Sequence, residues 1–248
     1  MCGRYVLRVI LKNLRRDFDL GFDVRESDFP MQDRPRYNIA PTQMVSVIRV
    51  VDGIRRHSLL RWGFIPYWSK GESRPQINAR GETAFDKPMF RDAARARRCL
   101  ILADGFYEWK RDERERAIQA YFVDRADGKP FAMAGIWDAW VSGDGEIIET
   151  VAIVTTDANA EVAAIHDRMP VILDRRDYLT WLEADRVAPE DARALIRPPP
   201  DGTMVARPVD NRVNAVKNDD ADNLKPFDPA QAPPQPRKGS DPRQGDLF

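Results

Sequence analysis

The sequence predicts an α+β fold: one strand-rich domain over residues 1–224, with a largely antiparallel, barrel-like sheet and peripheral helices. Three observations predict it. Seven short runs of β-branched or aromatic residues are bounded by Gly, Pro or Asp. Helix-spaced patterns are fewer and do not alternate regularly with those runs, which argues against a doubly wound sheet. Composition then changes sharply after about Asn223, where the domain gives way to a tail.

The elements follow in order. Leu7, Ile10, Leu11, Leu14 and Phe18 recur at helix spacing. Strands are expected at 45–51 (VSVIRVV), 99–103 (CLILA), 120–123, 131–136, 151–155 (VAIVT), 171–173 and 204–209. Pro88 is placed to open a helix through 97 and Pro189 one through 196, because a first-turn proline lacks only an N–H that has no intrahelical partner. Residues 161–167 and 177–182 are further helix candidates. Residues 225–248 are rich in Pro, Gln, Asp and Gly. They bury too little apolar surface to offset chain ordering, so a disordered tail is expected.

Composition excludes several classes. The longest apolar runs, such as 150–156, are far too short to cross a bilayer. The start, MCGRY, has no apolar segment after a basic one, so no secretion leader is expected. Two cysteines make no disulfide framework, and a reducing, cytoplasmic location is expected. No pair among Cys2, Cys99, His57 and His166 has metal-ligand spacing, so neither metal nor cofactor is expected. Net charge is zero, which argues against indiscriminate coating of duplex nucleic acid but leaves room for a local basic groove. Only 8 of the 39 basic residues are lysine; the 31 arginines supply forked donors suited to phosphate.

Cys2 is the most unusual residue. A small second residue permits removal of Met1, which leaves a terminal cysteine with a free amine (pKa roughly 7.7–8.0) and a thiol (about 8.5). On one skeleton, the amine gives an imine with an aldehyde and the thiol closes a thiazolidine ring. The alternative is an accident of position two.

Eight blocks surround that reading: MCGRY (1–5), RYNIAPTQ (36–43), RWGFIPYW (61–68), NARGET (78–83), RCLILADGFYEW (98–109), AGIW (134–137), HDRMP (166–170) and VN (213–214). In this order they resemble the SOS response-associated peptidase (SRAP) family. One departure is Leu102, where the family usually has proline; strand geometry rather than chemistry is expected to feel it. The resemblance implies a DNA-repair protein that captures abasic sites in single-stranded DNA as a thiazolidine crosslink through Cys2. It also implies crosslink reversal and self-processing at the N-terminus.

Under that resemblance each matching residue has an expected role. Glu108, among aromatics, has its pKa raised and shuttles protons; otherwise it is a strand-end partner of an arginine. His166 donates a proton during sugar opening or crosslink reversal; otherwise it is a structural helix-end histidine. Asn78 orients the amine or the opened sugar. Arg80 and Arg4 grip phosphate, and Asn38 is a second DNA contact. Trp68, before the polar SKGES run, is the exposed platform that stacks on a base, while the other aromatics are mostly core. Glu82 pairs with an arginine, and His57 lies on the surface. The last five residues, QGDLF, resemble the bacterial sliding-clamp-binding pentapeptide, with Gln244, Leu247 and Phe248 as anchors. A monomer working near replication forks is the resulting picture. Two other readings stay open. One is an N-terminal-nucleophile thiol peptidase or amidohydrolase, with Glu108 or the amine as base and Asn78 in the oxyanion site. The other is a non-catalytic module recruited by QGDLF.

Overall fold

The computed structural model describes residues 2–8, 34–70, 74–114 and 116–227. Thirteen strands among them build two sheets. The first contains β3 (Met44–Val51), β4 (Ile54–Trp62), β6 (Arg98–Ala103), β9 (Phe131–Val141) and β10 (Ile147–Asp157). These five close on themselves in the order β10-β4-β3-β6-β9, because β10 also pairs with β9. The closing contact, β10 with β4, is parallel and short, with Thr150 opposite Arg61 and Val151 opposite Trp62. The other joints of the barrel are antiparallel. β10 is long enough to continue past β9. Its C-terminal half pairs with β5 (Asn78–Arg80) and β11 (Arg168–Pro170), and β12 (Ile172–Leu173) flanks β9.

Side-chain size sets the barrel's interior. A Cβ on Gly135 would stand 2.7 Å from Cys99 Sγ and 2.8 Å from Ile101, so only glycine fits without displacement. Leu102 pairs regularly with Ala132 and is fully buried, so the strand runs on where the family usually has proline.

The second sheet has the order β13-β8-β7-β1-β2: β13 is Met204–Val209, β8 Ala117–Arg125, β7 Gly105–Arg111, β1 Arg4–Leu7 and β2 Arg36–Ile39. Alternation along β1 gives each face its own core. Cys2, Tyr5, Leu7 and Phe106 join the barrel's apolar cluster, whereas Val6, Tyr107, Phe122, Val209 and Val213 form a second cluster on the other face. Cys2 therefore packs on the barrel side of the second sheet.

Several expectations need correction. Leu7 ends strand β1 rather than opening a helix, and the rest of that pattern, with Ile10, Leu11, Leu14 and Phe18, lies outside the described residues. Helices are shorter than expected, at Arg91–Ala96, Ala160–Ala163, Tyr178–Leu182 and Pro189–Arg193. His57 is not on the surface: it sits on β4 opposite Ile48 and is 4% exposed, with burial lowering its pKa to about 4. Ordered chain also passes residue 224. Asp210 N–H donates to the Lys225 carbonyl, and Phe227 N–H to the Pro208 carbonyl at 3.0 Å. The remaining tail, QGDLF included, lies outside the described residues. No helix among the described residues is long and apolar enough to cross a membrane.

Candidate active site

β1 is a central strand, held by β7 on one side and β2 on the other, so a residue two positions before it is unusually well placed for a chain end. Cys2 is fully buried. Its thiol donates to the Arg4 carbonyl at 3.7 Å. Its own carbonyl accepts from Asn78 Nδ2 at 2.9 Å. Burial pushes the thiol's pKa well up, and the Glu108 carboxylate adds to the rise, so the sulfur rests protonated. Asn78 opens β5, which the parallel pairing Ile153–Asn78 fixes against β10. Asn78 Oδ1 is buried and has no hydrogen-bond partner among the described residues.

Glu108 is carried by β7 and is 2% exposed. Burial raises its carboxyl from 4.5 to about 7, against the pull of the N-terminal ammonium, the Trp109 N–H and Arg111. A carboxyl at that value exchanges a proton readily near neutrality. His166 follows the Ala160–Ala163 helix, just before β11. Burial lowers its pKa; the N-terminal ammonium and Arg111 add to this, and Asp167 opposes it. Arg168 N–H donates to His166 Nδ1 at 2.9 Å, so the neutral ring carries its proton on Nε2. Asp167 Oδ1 lies at the same distance from Nδ1 and favours the protonated ring instead. Burial prevails. The three groups are electrostatically linked: the Glu108 carboxylate raises the Cys2 thiol, and the Arg111 charge lowers both Glu108 and His166.

The expected DNA contacts divide. Arg80 ends β5 with an exposed side chain, and Trp68 is 46% exposed. Arg4 is half-buried and donates to Asn38 Oδ1 at 3.0 Å and to the Val213 carbonyl at 2.9 Å. Asn38 is not a DNA contact in this arrangement. It is fully buried, and its Nδ2 donates to the carbonyls of Val213, Ala215 and Asn218 at 2.8–3.1 Å. Its amide is thus fully engaged in tying the 213–218 segment to β2 behind Arg4. Glu82 makes the expected ion pair, two-pronged to Arg168 at 2.7 and 2.8 Å. Trp62 and Trp181 are core.

Three site-shaping residues escaped the sequence reading. Arg111 stands just past the RCLILADGFYEW block, yet its charge reaches both Glu108 and His166. Asp219 accepts from the Tyr37 and Asn38 N–H groups and pairs with Arg36. Asn214, the second residue of the VN block, accepts from Trp109 Nε1 at 2.7 Å beside Glu108's strand. Its place in a block was the available signal; the other two had none.

A protein from Bacteroides thetaiotaomicron shares this fold, with a TM-score of 0.77 at 24% identity over 91% of this chain and all of that one. The Bacillus subtilis abasic site processing protein YoaM is 36% identical over 227 residues, 90% of this chain and 97% of its own. The Escherichia coli abasic site processing protein YedK is 32% identical over 231 residues, 91% of this chain and 100% of its own. With a family profile matched over residues 1–216, the chain belongs to the SOS response associated peptidase (SRAP) family.

Proposed function

We propose that this chain processes abasic sites in single-stranded DNA by covalent capture through Cys2. The reading rests on the buried Cys2 and Glu108, on half-buried Asn78 hydrogen-bonded to the Cys2 carbonyl, and on half-buried His166, which shares the charge of Arg111 with Glu108, together with relatives named abasic site processing proteins. Removal of Met1 converts the Cys2 nitrogen from an amide into an amine. The ring-opened sugar offers an aldehyde. The amine adds to it and water leaves, giving an imine; the thiol then adds across the C=N bond and closes a thiazolidine. The net change is loss of one water, with no oxidant or reductant. Glu108, poised near 7, takes the thiol proton and returns it to nitrogen. His166 presents Nε2–H to the sugar oxygen for opening and for crosslink reversal. Asn78 Oδ1 is an open acceptor beside Cys2, suited to the new ammonium or to a sugar hydroxyl. Arg80 and Arg4 contact the flanking phosphates, and Trp68 stacks on a neighbouring base. The tail brings Gln244, Leu247 and Phe248 to a sliding clamp, and the protein acts as a monomer.

Intact mass spectrometry tests the central step. Chain lacking Met1, incubated with an abasic oligonucleotide, gains the oligonucleotide mass less one water, and Cys2→Ala gains nothing. A Met1-free chain that stays unmodified overturns the reading, and turnover of peptides in its place would establish hydrolysis instead. For the tail, loss of binding to a purified clamp on deleting 244–248 is the expected outcome; unchanged or undetectable binding of the full chain refutes it.

A further inference from the structure

The segment between β4 and β5 presents the two most exposed aromatic rings among the described residues, Tyr67 at 54% and Trp68 at 46%. They occupy the centre of a turn closed by Ser69 N–H donating to the Pro66 carbonyl at 2.9 Å. Such a turn leaves the N–H groups of its central residues without an internal partner. Here Tyr67 N–H donates to Asp138 Oδ2 at 3.0 Å. Two further side chains from the same face of the β9–β10 pair grip the segment on either side. Thr150, directly opposite Asp138 in register, accepts from Ile65 N–H at 3.0 Å. Trp140, two residues along β9, donates from Nε1 to the Ser69 carbonyl at 2.8 Å. Asp138 is itself 3% exposed and anchored by Arg97 at 3.1 Å, and the Arg97 guanidinium lies 5.7 Å from the centre of the Tyr67 ring.

The geometry assigns Asp138, anchored by Arg97, as the positioning residue that holds Tyr67 and Trp68 in a fixed pose for stacking on successive bases of single-stranded DNA. Every grip falls on the segment's backbone or, through Arg97, on one face of Tyr67, so both rings stay outward while the turn cannot collapse them onto the sheet. An aromatic platform held in advance loses less freedom when a base stacks on it. A charge buried in β9 solely for packing would need no acceptor aimed at a loop N–H. The inference rests on the stacking role proposed for Trp68.

A double-mutant cycle tests it with the full chain and a single-stranded oligonucleotide containing a tetrahydrofuran abasic analogue, which cannot form an imine. Binding is read by fluorescence anisotropy. Trp68→Ala is expected to weaken binding roughly five- to tenfold, the low end of one base stack. Asp138→Ala is expected to weaken it at least as much, and to add little in a Tyr67→Ala/Trp68→Ala background that lacks both rings. With a true abasic oligonucleotide, the Asp138→Ala loss is expected in the concentration dependence of crosslinking rather than in its maximal rate. Asp138→Asn, which keeps an acceptor for Tyr67 N–H, restores most of the binding and serves as the folded control. If Trp68→Ala binds normally, the stacking role itself falls. If Trp68→Ala weakens binding while Asp138→Ala does not, or if the Asp138→Ala loss persists in full once both rings are removed, the positioning role falls alone.

Discussion

Glu108→Gln separates what the buried carboxyl does for chemistry from what it does to stability. In the folded chain this carboxyl is raised from 4.5 to about 7, chiefly because burial disfavours its ionised form. The unfolded chain releases the same proton near its ordinary value. Across the interval between 4.5 and about 7, the folded state therefore holds a proton that the unfolded state has lost, and stability falls as pH rises. The loss is complete above about 7 and corresponds to roughly 3 kcal/mol, at about 1.4 kcal/mol per pH unit of displacement. Glutamine fills the same space with no proton to lose. The unfolding free energy of Glu108→Gln minus that of the wild type is expected to grow by roughly 3 kcal/mol between about pH 4 and pH 8.5. Urea titrations followed by tryptophan fluorescence at closely spaced pH values measure this difference. The same variant is expected to crosslink abasic DNA about 100-fold more slowly. Two stability profiles that run parallel across this range would refute the assignment of a buried, neutral-poised carboxyl.

Other perturbations probe the scaffold. His57 has its pKa lowered to about 4 by burial, so its unfolded form takes up a proton first as pH falls below 6.5. Stability is therefore expected to drop between about 6.5 and 4, by roughly 3 kcal/mol, and His57→Leu to flatten that limb in acid melts. Arg98 is 1% exposed, and its guanidinium donates to the carbonyls of Ala94, Arg95 and Trp181, at the ends of two helices. Arg98→Met strips those donors and is expected to cost about 3 kcal/mol in denaturant unfolding; a cost below about 1 would show the carbonyls find other partners. Asn38→Ala is expected to lower stability by about 2–3 kcal/mol while leaving the affinity of the folded variant for abasic single-stranded DNA unchanged; a weakened affinity would return Asn38 to the DNA contacts.

The β-branched runs announced the barrel because burial on one or both faces selects for them. VSVIRVV, CLILA and VAIVT all became barrel strands, and 204–209 became β13. β4 stayed hidden because IRRHSLLRW carries three arginines and a histidine, and its strand character comes from pairing along the whole of β3. His57 was misplaced for the same reason: a polar neighbourhood in sequence says nothing of what covers a strand's outer face. The parallel closure of β10 on β4 joins residues some ninety apart, and no local pattern encodes such a pairing. At the site, the raised pKa expected of Glu108 from its aromatic neighbours is matched by its burial, whereas the hydrogen bond that joins Asn78 to the Cys2 carbonyl spans 76 residues and no local pattern encodes it. Asn38 looked like a ligand contact because an exposed and a buried amide read identically in sequence; only the carbonyls of Val213, Ala215 and Asn218 distinguish them.

The placement of β1 also orders events during synthesis. Its neighbour β7 is encoded a hundred residues downstream, so the nascent amino end stays unhoused until that strand has left the ribosome. Under the proposed function, an aminopeptidase acting during synthesis would have that interval in which to trim the initiator before Cys2 is packed into the barrel's apolar cluster. A purification handle fused ahead of Met1 would keep the Cys2 nitrogen an amide, so under the proposed function it has to be cleaved off before Cys2 can react.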